Sequence, residues 1–401
     1  MQAPQVKPDR LHALDNLRAL MMWLGIVIHV SVNHLTGPMV LPWRDQATSE
    51  LADLIVGVIH VFRMPVFLML AGYFVALMVQ RGGARQMLRH RMRRIALPFV
   101  VFWPIVFGLT AVLAMLYAHR AERGYLGLSA EVIPSLPHAP MINTLHMWFL
   151  YQLIGFALLT FAAIWFAQRL PLDLRDRISG AFHLLGQRSW GFAVLALPLG
   201  LIGAQYSMGI LVVNGSFAPP LFEWLHHGLF YTFGYFLHIH RESLLAHYTT
   251  HAPRYGWAGA LLCFVSLGML KEVQLHPDTT GVVFRLLTAW SYNAATWLWS
   301  FALIGLALRH LNRQSAALQY MAESSYWVYL VHMLGTIGFG ALLYGAPLPA
   351  ELKMLINIAA TTVMALATYQ LFVRNTAVGQ LLNGKRFAPK QATSTLSSPR
   401  P

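Results

Sequence analysis

Ten apolar stretches of membrane-spanning length follow one another along this chain at short intervals, a pattern that a water-soluble fold does not accommodate. They cover residues 15–35, 51–79, 95–118, 143–167, 189–206, 222–238, 257–270, 282–308, 326–343 and 352–373. A bilayer core needs about 20 mostly apolar residues per helix. The seventh stretch is short, so it is tilted, buried among the others, or continued past Lys271. Composition agrees: 57% of the residues are hydrophobic and 11% charged, against about 25% charged in soluble domains. Soluble domains, disorder and coiled coil are excluded. The expected fold is all-α: a polytopic integral membrane bundle of about ten transmembrane helices. Residues 1–384 form one transmembrane domain. Residues 385–401, rich in Ser, Thr and Pro, form a disordered cytoplasmic tail.

The 29 Lys and Arg outnumber the 15 Asp and Glu, for a net charge of +14. In a soluble chain that excess suggests nucleic acid; in a chain this apolar it suggests basic cytoplasmic loops and no nucleic-acid partner. With the N-terminus inside, 22 of the 29 basic residues fall in cytoplasmic segments and 5 on the opposite side. Both termini are therefore expected in the cytoplasm, with the chain multi-pass in a membrane. Arg18 and His29 interrupt the first apolar run and no A-x-A-like site follows it, which argues against a cleaved leader. A lone cysteine, Cys263, excludes a disulfide framework and a cysteine-based zinc site. His247 and His251 have i,i+4 spacing, but no carboxylate or cysteine completes a metal set. No repeat or inverted duplication is visible.

Ionisable groups at membrane depth are costly, so each is a candidate for function. Arg18 and His29 are eleven residues apart, three helical turns plus about 20°, and share one face across about 16 Å. Asp15, one turn before Arg18, can pair with it. Asn33 lies one turn beyond His29. The plain alternatives are an Arg18 that snorkels to the interface and a His29 that is a hydrogen-bonded interior histidine. In the second span His60 and Arg63 are neighbours, and Arg63 lies about 18 Å from Leu51, too deep for easy snorkelling. Pro65 is expected to kink that helix. Ala71-Gly72-Tyr73 lets another backbone approach closely. Arg81, Arg85, Arg89, Arg91, Arg93 and Arg94 fall within fourteen residues with no acid among them. Guanidinium forks bind phosphates bidentately; the alternative is a lipid-facing topogenic segment. His146 and Trp148 open the fourth span, Glu223, His226 and His227 open the sixth, and His332 lies inside the ninth. There is no G-x-S-x-G elbow, P-loop, H-E-x-x-H or Rossmann glycine run.

The R-x10-H of Arg18 and His29 comes first in a collinear series. Phe62-Arg63-Met64 follows, then the R-x-x-R of Arg91 and Arg94 before Pro98, then His146-Met147-Trp148-Phe149-Leu150. Ser325-Tyr326-Trp327-Val328-Tyr329-Leu330-Val331-His332 ends it. In this order the chain resembles the integral-membrane acyltransferase 3 family, and is nearest its glucan-biosynthesis branch. The resemblance implies about ten helices in a bacterial inner membrane and transfer of an acyl group from cytoplasmic acyl-CoA to carbohydrate at the periplasmic face. For that branch the acyl group is succinyl and the acceptor a glucan. Acyl-CoA is then a donor substrate, with no permanently bound cofactor and no metal.

Acyl transfer to a hydroxyl needs a base, a stabiliser for the tetrahedral oxyanion and a bound leaving group. His29 is the candidate base, with Arg18 and Asp15 lining the route to it. Arg63 is a candidate for the oxyanion or an acyl carboxylate, and Arg91, Arg93 and Arg94 for the phosphates of the donor. His60, Asn33, His146, Trp148 and His332 are supporting residues. A transporter or flippase for an anionic or acylated substrate could use the same buried groups without chemistry. Direct transfer and an acyl-enzyme relay are both open.

Overall fold

The computed structural model describes residues 9–37, 43–129, 132, 140–206, 210–313 and 315–384; among them are helices and no strand. The chain runs α1 (Asp9–Val32), α2 (Glu50–Arg91), a π-helical turn (Met92–Ala96), α3 (Leu97–Arg123), a 3-10 turn (Leu145–Met147), α4 (Trp148–Ala167), α5 (Leu172–Gln187) and α6 (Gly191–Gly203). It continues with α7 (Leu221–Ile239), α8 (Arg241–Leu275), α9 (Val282–His310), α10 (Ala316–Leu343), α11 (Ala350–Thr368), a second π turn (Tyr369–Val373) and α12 (Ala377–Asn383). The expected tail, 385–401, lies outside the described residues.

Each of the ten apolar stretches contains a helix. Six helical segments are long and apolar enough by themselves to cross a membrane. They are His12–Val32, Glu50–Arg123, Leu145–Ala167, Arg241–Leu275, Ala316–Leu343 and Ala350–Val373. A seventh forms if α5 and α6, bent by 107° at their junction, count as one span. The Glu50–Arg123 segment has 74 residues, about 110 Å of helix, far more than one bilayer thickness.

Several expected loops are helical instead. The arginine-rich segment continues α2 to Arg91, because Arg, Gln, Leu and Met are all good helix formers. The short seventh stretch is the distal part of the 35-residue α8. Dihedrals stay helical through Pro65, where a kink was expected; the break in α2 falls at Gly83, with φ 77° and ψ 171°. That φ is open to glycine at little cost.

Two groups of helices share α1, α2 and α9. On one side α1 lies between α2 and α10, and α10 also packs on α3 and α11. On the other, α2 packs on α7, and α9 is held between α6 and α8. Gly72 and Gly234 set the α2–α7 crossing: a Cβ on Gly72 would stand 1.9 Å from the Tyr231 carbonyl oxygen, and one on Gly234 would stand 1.9 Å from that of Met69. Such contact between backbones is how helices associate where apolar burial supplies no driving force. Large apolar side chains on α3 (Val100, Ile105) and α8 (Leu261, Phe264) face outward, as lipid contact requires. By contrast, α1 and α10 are the most enclosed of the candidate spans. Asn16 and Ser31 of α1 and Ser324, Ser325, His332 and Thr336 of α10 therefore lie inside the protein.

Candidate active site

Met21, Gly25 and His29 recur every fourth residue and so line one face of α1. Arg63 reaches this face from α2. Its Nε donates to the Met21 carbonyl at 2.9 Å, using that oxygen's second lone pair. Its Nη2 occupies the place a side chain on residue 25 would need: a Cβ on Gly25 would stand 2.7 Å from Arg63 Nη2 and 3.4 Å from His332 Nε2. The missing side chain thus makes room for a guanidinium and an imidazole. The ring of His29 lies 5.1 Å, centroid to centroid, from that of His332, which lies 5.0 Å from that of His146. Arg63 is the fixed positive charge that all three imidazoles face.

Backbone contacts orient two of the rings. His332 Nδ1 lies 2.8 Å from the Tyr329 carbonyl and 3.1 Å from that of Val328. A carbonyl only accepts, so Nδ1 carries the proton and the neutral ring presents a lone pair at Nε2. That Nε2 is buried without a partner. His146 and Tyr329 clamp each other. His146 Nε2 donates to the Tyr329 carbonyl at 3.1 Å, and the Tyr329 hydroxyl donates to the His146 carbonyl at 2.7 Å. Just before His146, Leu145 has φ 50°. A left-handed leucine is strained, and it is held by the Asn143 side chain at 2.8 Å and by Thr144 on Gly215. His29 differs from its neighbours: it is half-buried and makes no hydrogen bond among the described residues. It is the least buried imidazole of the group.

His60, one turn before Arg63, belongs to a second polar cluster. Its Nδ1 is 2.7 Å from the Tyr292 hydroxyl. A small cavity beside it is lined by Trp148, His226, His227 and Asn293. Trp148 stacks on His227, with ring centroids 5.2 Å apart. His226 Nε2 donates to Asn293 Oδ1 at 3.1 Å, and the Nδ1 atoms of His226 and His227 are buried without partners.

The remaining arginines sit at one end of the bundle. Arg18 pairs with Asp15 at 3.2 Å and lies over the Phe74 ring at 5.4 Å. Arg91 points into the bundle toward Arg18, Tyr231 and Tyr326, with its Nε buried and unpartnered. Arg93 and Arg94 instead line a cleft of about 940 Å³, together with Arg85, Arg89, His90 and the end of α12. Arg94 Nη1 is occupied: it donates to the carbonyls of Gln380 and Leu381 at 2.8 and 2.9 Å.

Of the residues singled out in the sequence, the structure brings His29, Arg63, His146 and His332 together. It puts His60 and Trp148 on the neighbouring cavity, and Asp15 and Arg18 beside Arg91. Asn33 stands apart: its amide is buried beside Gly340 and Asn357, with neither polar atom paired. The rings of His247 and His251 lie 4.3 Å apart, tilted by 34°, and no metal-binding group occurs among the described residues. Sequence reasoning missed Gly25 and the positioning role of Tyr329. Tyr329 precedes His332 by three residues and so shares its helix face, which was the available signal.

The acyltransferase 3 family, described as an acyltransferase domain, matches residues 11–373. This chain belongs to that family. It is an enzyme that transfers acyl groups. It is 27% identical over 403 residues to the glucans biosynthesis protein C of Escherichia coli K12, covering 95% of this chain and 96% of that protein. The glucans biosynthesis protein C of Shigella dysenteriae serotype 1 is 26% identical over 397 residues, again covering 95% of this chain and 96% of its own. No solved structure matches the chain.

Proposed function

We propose that this family member is a membrane-embedded O-acyltransferase with cytoplasmic acyl-CoA as donor and a hydroxyl of a periplasmic carbohydrate as acceptor. The relatives' name makes a glucan the first acceptor to test, and succinyl the first acyl group. In this reading all ten apolar stretches cross a bacterial inner membrane, both termini are cytoplasmic, and the arginine-rich end faces the cytoplasm. The supporting observation is the half-buried, unbonded His29 on the same enclosed face as the uncompensated Arg63.

The chemistry follows from those two groups. His29 takes the proton of the acceptor hydroxyl as its oxygen attacks the thioester carbonyl. Arg63 Nη2 faces the developing oxyanion, where a preformed donor in a dry site is worth most. The C–S bond then breaks, and His29 returns its proton to the leaving thiolate. His332, locked with its lone pair toward the same space, and His146 wall the site. Arg18 and His29 are about 16 Å apart along α1, comparable to the reach of an extended pantetheine arm. The phosphate-bearing end then stays at the arginine-rich end while the thioester reaches His29.

The test is His29→Gln in purified, correctly inserted protein, offered a panel of acyl-CoA donors with periplasmic glucan. Loss of at least about 100-fold in transfer is expected. Normal product from well-inserted H29Q would sink the assignment. Wild-type protein that binds the donors but never turns them over would sink the choice of donor or acceptor.

A further inference from the structure

Coenzyme A carries its phosphates in two places: one on the ribose 3′ position, and a diphosphate where the pantetheine arm begins. The arginines of this chain also fall in two places. Arg85, Arg89 and Arg93 recur every fourth residue and form a stripe along the cleft. Among the described residues none of the three makes a hydrogen bond or ion pair. Arg94 completes the lining, but its fork is engaged on the C-terminal carbonyls of α12, so it holds the wall of the cleft in place. Arg91 belongs to neither arrangement. It turns inward to Arg18, Tyr231 and Tyr326. There Arg18 pairs with Asp15, and Arg91 Nε is buried with no partner. Like charges side by side are unfavourable until an anion joins them. Arg89 and Arg91, two residues apart on α2, point to different sides of the helix, and Arg93 and Arg94 lie within the π turn at Met92–Ala96; π turns of this kind are frequent at functional sites.

We propose that the arginines divide the donor: the open stripe of Arg85, Arg89 and Arg93 holds the 3′-phosphate, and Arg91 with Arg18 holds the diphosphate at the mouth of the bundle. The inference rests on the acyl-CoA reading above. The order of groups along the molecule demands this order of sites, because the diphosphate lies between the nucleoside and the arm. The inward pair also includes Arg18 of α1, about 16 Å along that helix from His29.

Full-length protein is assayed with acyl-CoA and with the matching acyl-dephospho-CoA, which lacks only the 3′-phosphate. Wild type is expected to show a KM about tenfold or more lower for acyl-CoA, the worth of charge-assisted hydrogen bonds to one phosphate. R93Q, on an exposed side chain, raises KM for acyl-CoA toward the dephospho value and leaves the latter where it was. R91Q raises both KM values together and keeps their ratio. R91K, which retains the charge, recovers part of that loss if the protein is folded as in wild type. An R93Q enzyme that still discriminates, or an R91Q enzyme that no longer does, overturns the division. So does a wild type that turns over both donors equally, although acyl-CoA then stands as donor. A wild type that binds neither donor overturns the acyl-CoA reading as well.

Discussion

Lys353 and Arg63 are both cations nearly sealed from water, at 2% and 8% exposure, and they are treated differently. Lys353 has a dedicated counter-ion: its Nζ lies 2.8 and 3.1 Å from the two carboxylate oxygens of Asp45. That carboxylate also accepts from the Ala47 backbone at 2.8 Å. Ser49 donates to Glu351 at 2.5 Å nearby, so the segment after α1 is clasped to the start of α11. Arg63 has a single carbonyl and three imidazoles, with no carboxylate among the described residues. Burying a charge is affordable only when it is paired or when something else requires it there. Lys353 fits the first case and holds the fold together. Arg63 fits the second, and in the mechanism proposed above its missing partner is the negative charge that the reaction develops.

Breaking the paired cation should have the largest effect, and on stability. Lys353→Met leaves Asp45 buried and alone, at a cost of about 3–5 kcal/mol, read as a lowered unfolding midpoint in detergent. Adding Asp45→Asn should recover most of it. Surviving K353M protein keeps its kcat. Breaking the unpaired cation should do the reverse. Arg63→Met removes a charge that nothing neutralises, so the unfolding midpoint holds or rises. The loss falls on kcat, by about 10²–10³-fold for one oxyanion donor. If R63M behaves like K353M, unfolding early but turning over normally, the contrast is wrong and Arg63 is a structural cross-link.

The parts legible in the sequence were those carried by periodicity and charge. The eleven-residue spacing placed Arg18 and His29 on one face, and Arg18 does pair with Asp15. Gly72 does meet a neighbouring backbone. Three kinds of information were hidden. Helix continuity was one: apolar runs mark where a span lies and not where its helix ends, and α2 and α8 run well past their apolar stretches. Rotation was another, because the arginines around Met92–Ala96 cannot be assigned to sides without knowing where the π turn falls. Tertiary partnership was the third. Nothing local says that Tyr329 clamps His146, 183 positions away, or that Gly25 is small to admit Arg63.

That last relation gives a milder way to sharpen the contrast. Gly25→Ala adds one methyl group 2.7 Å from Arg63 Nη2, so the guanidinium must shift. The helix itself gains, since alanine is favoured over glycine by about 1 kcal/mol within a helix. The expected result is an unchanged or higher unfolding midpoint with kcat lowered about tenfold, the scale of misplacing a group by a fraction of an ångström. Undiminished kcat in G25A would mean that the position of Nη2 does not matter to the reaction.

The smallest expected effect concerns the other end of the molecule, where charge is exposed and titratable. His90 stands on the cleft among Arg85, Arg89, Arg93 and Arg94. Desolvation first, and then Arg91 and Arg94, hold its pKa below the usual 6.5. It is therefore neutral at pH 7 and gains its charge only at lower pH. A phosphate seated in the cleft offsets the arginines and favours that charge, so donor binding takes up a proton and tightens as pH falls. The donor's own phosphate titrates near pH 6, but equally in wild type and in His90→Gln. The ratio of KM for donor, H90Q over wild type, thus isolates the imidazole. It should rise as pH falls from about 8 to 5, by no more than about fivefold, because the site is open to solvent and screened. A flat ratio would remove His90 from the anion site and leave the cleft's charge to the arginines alone.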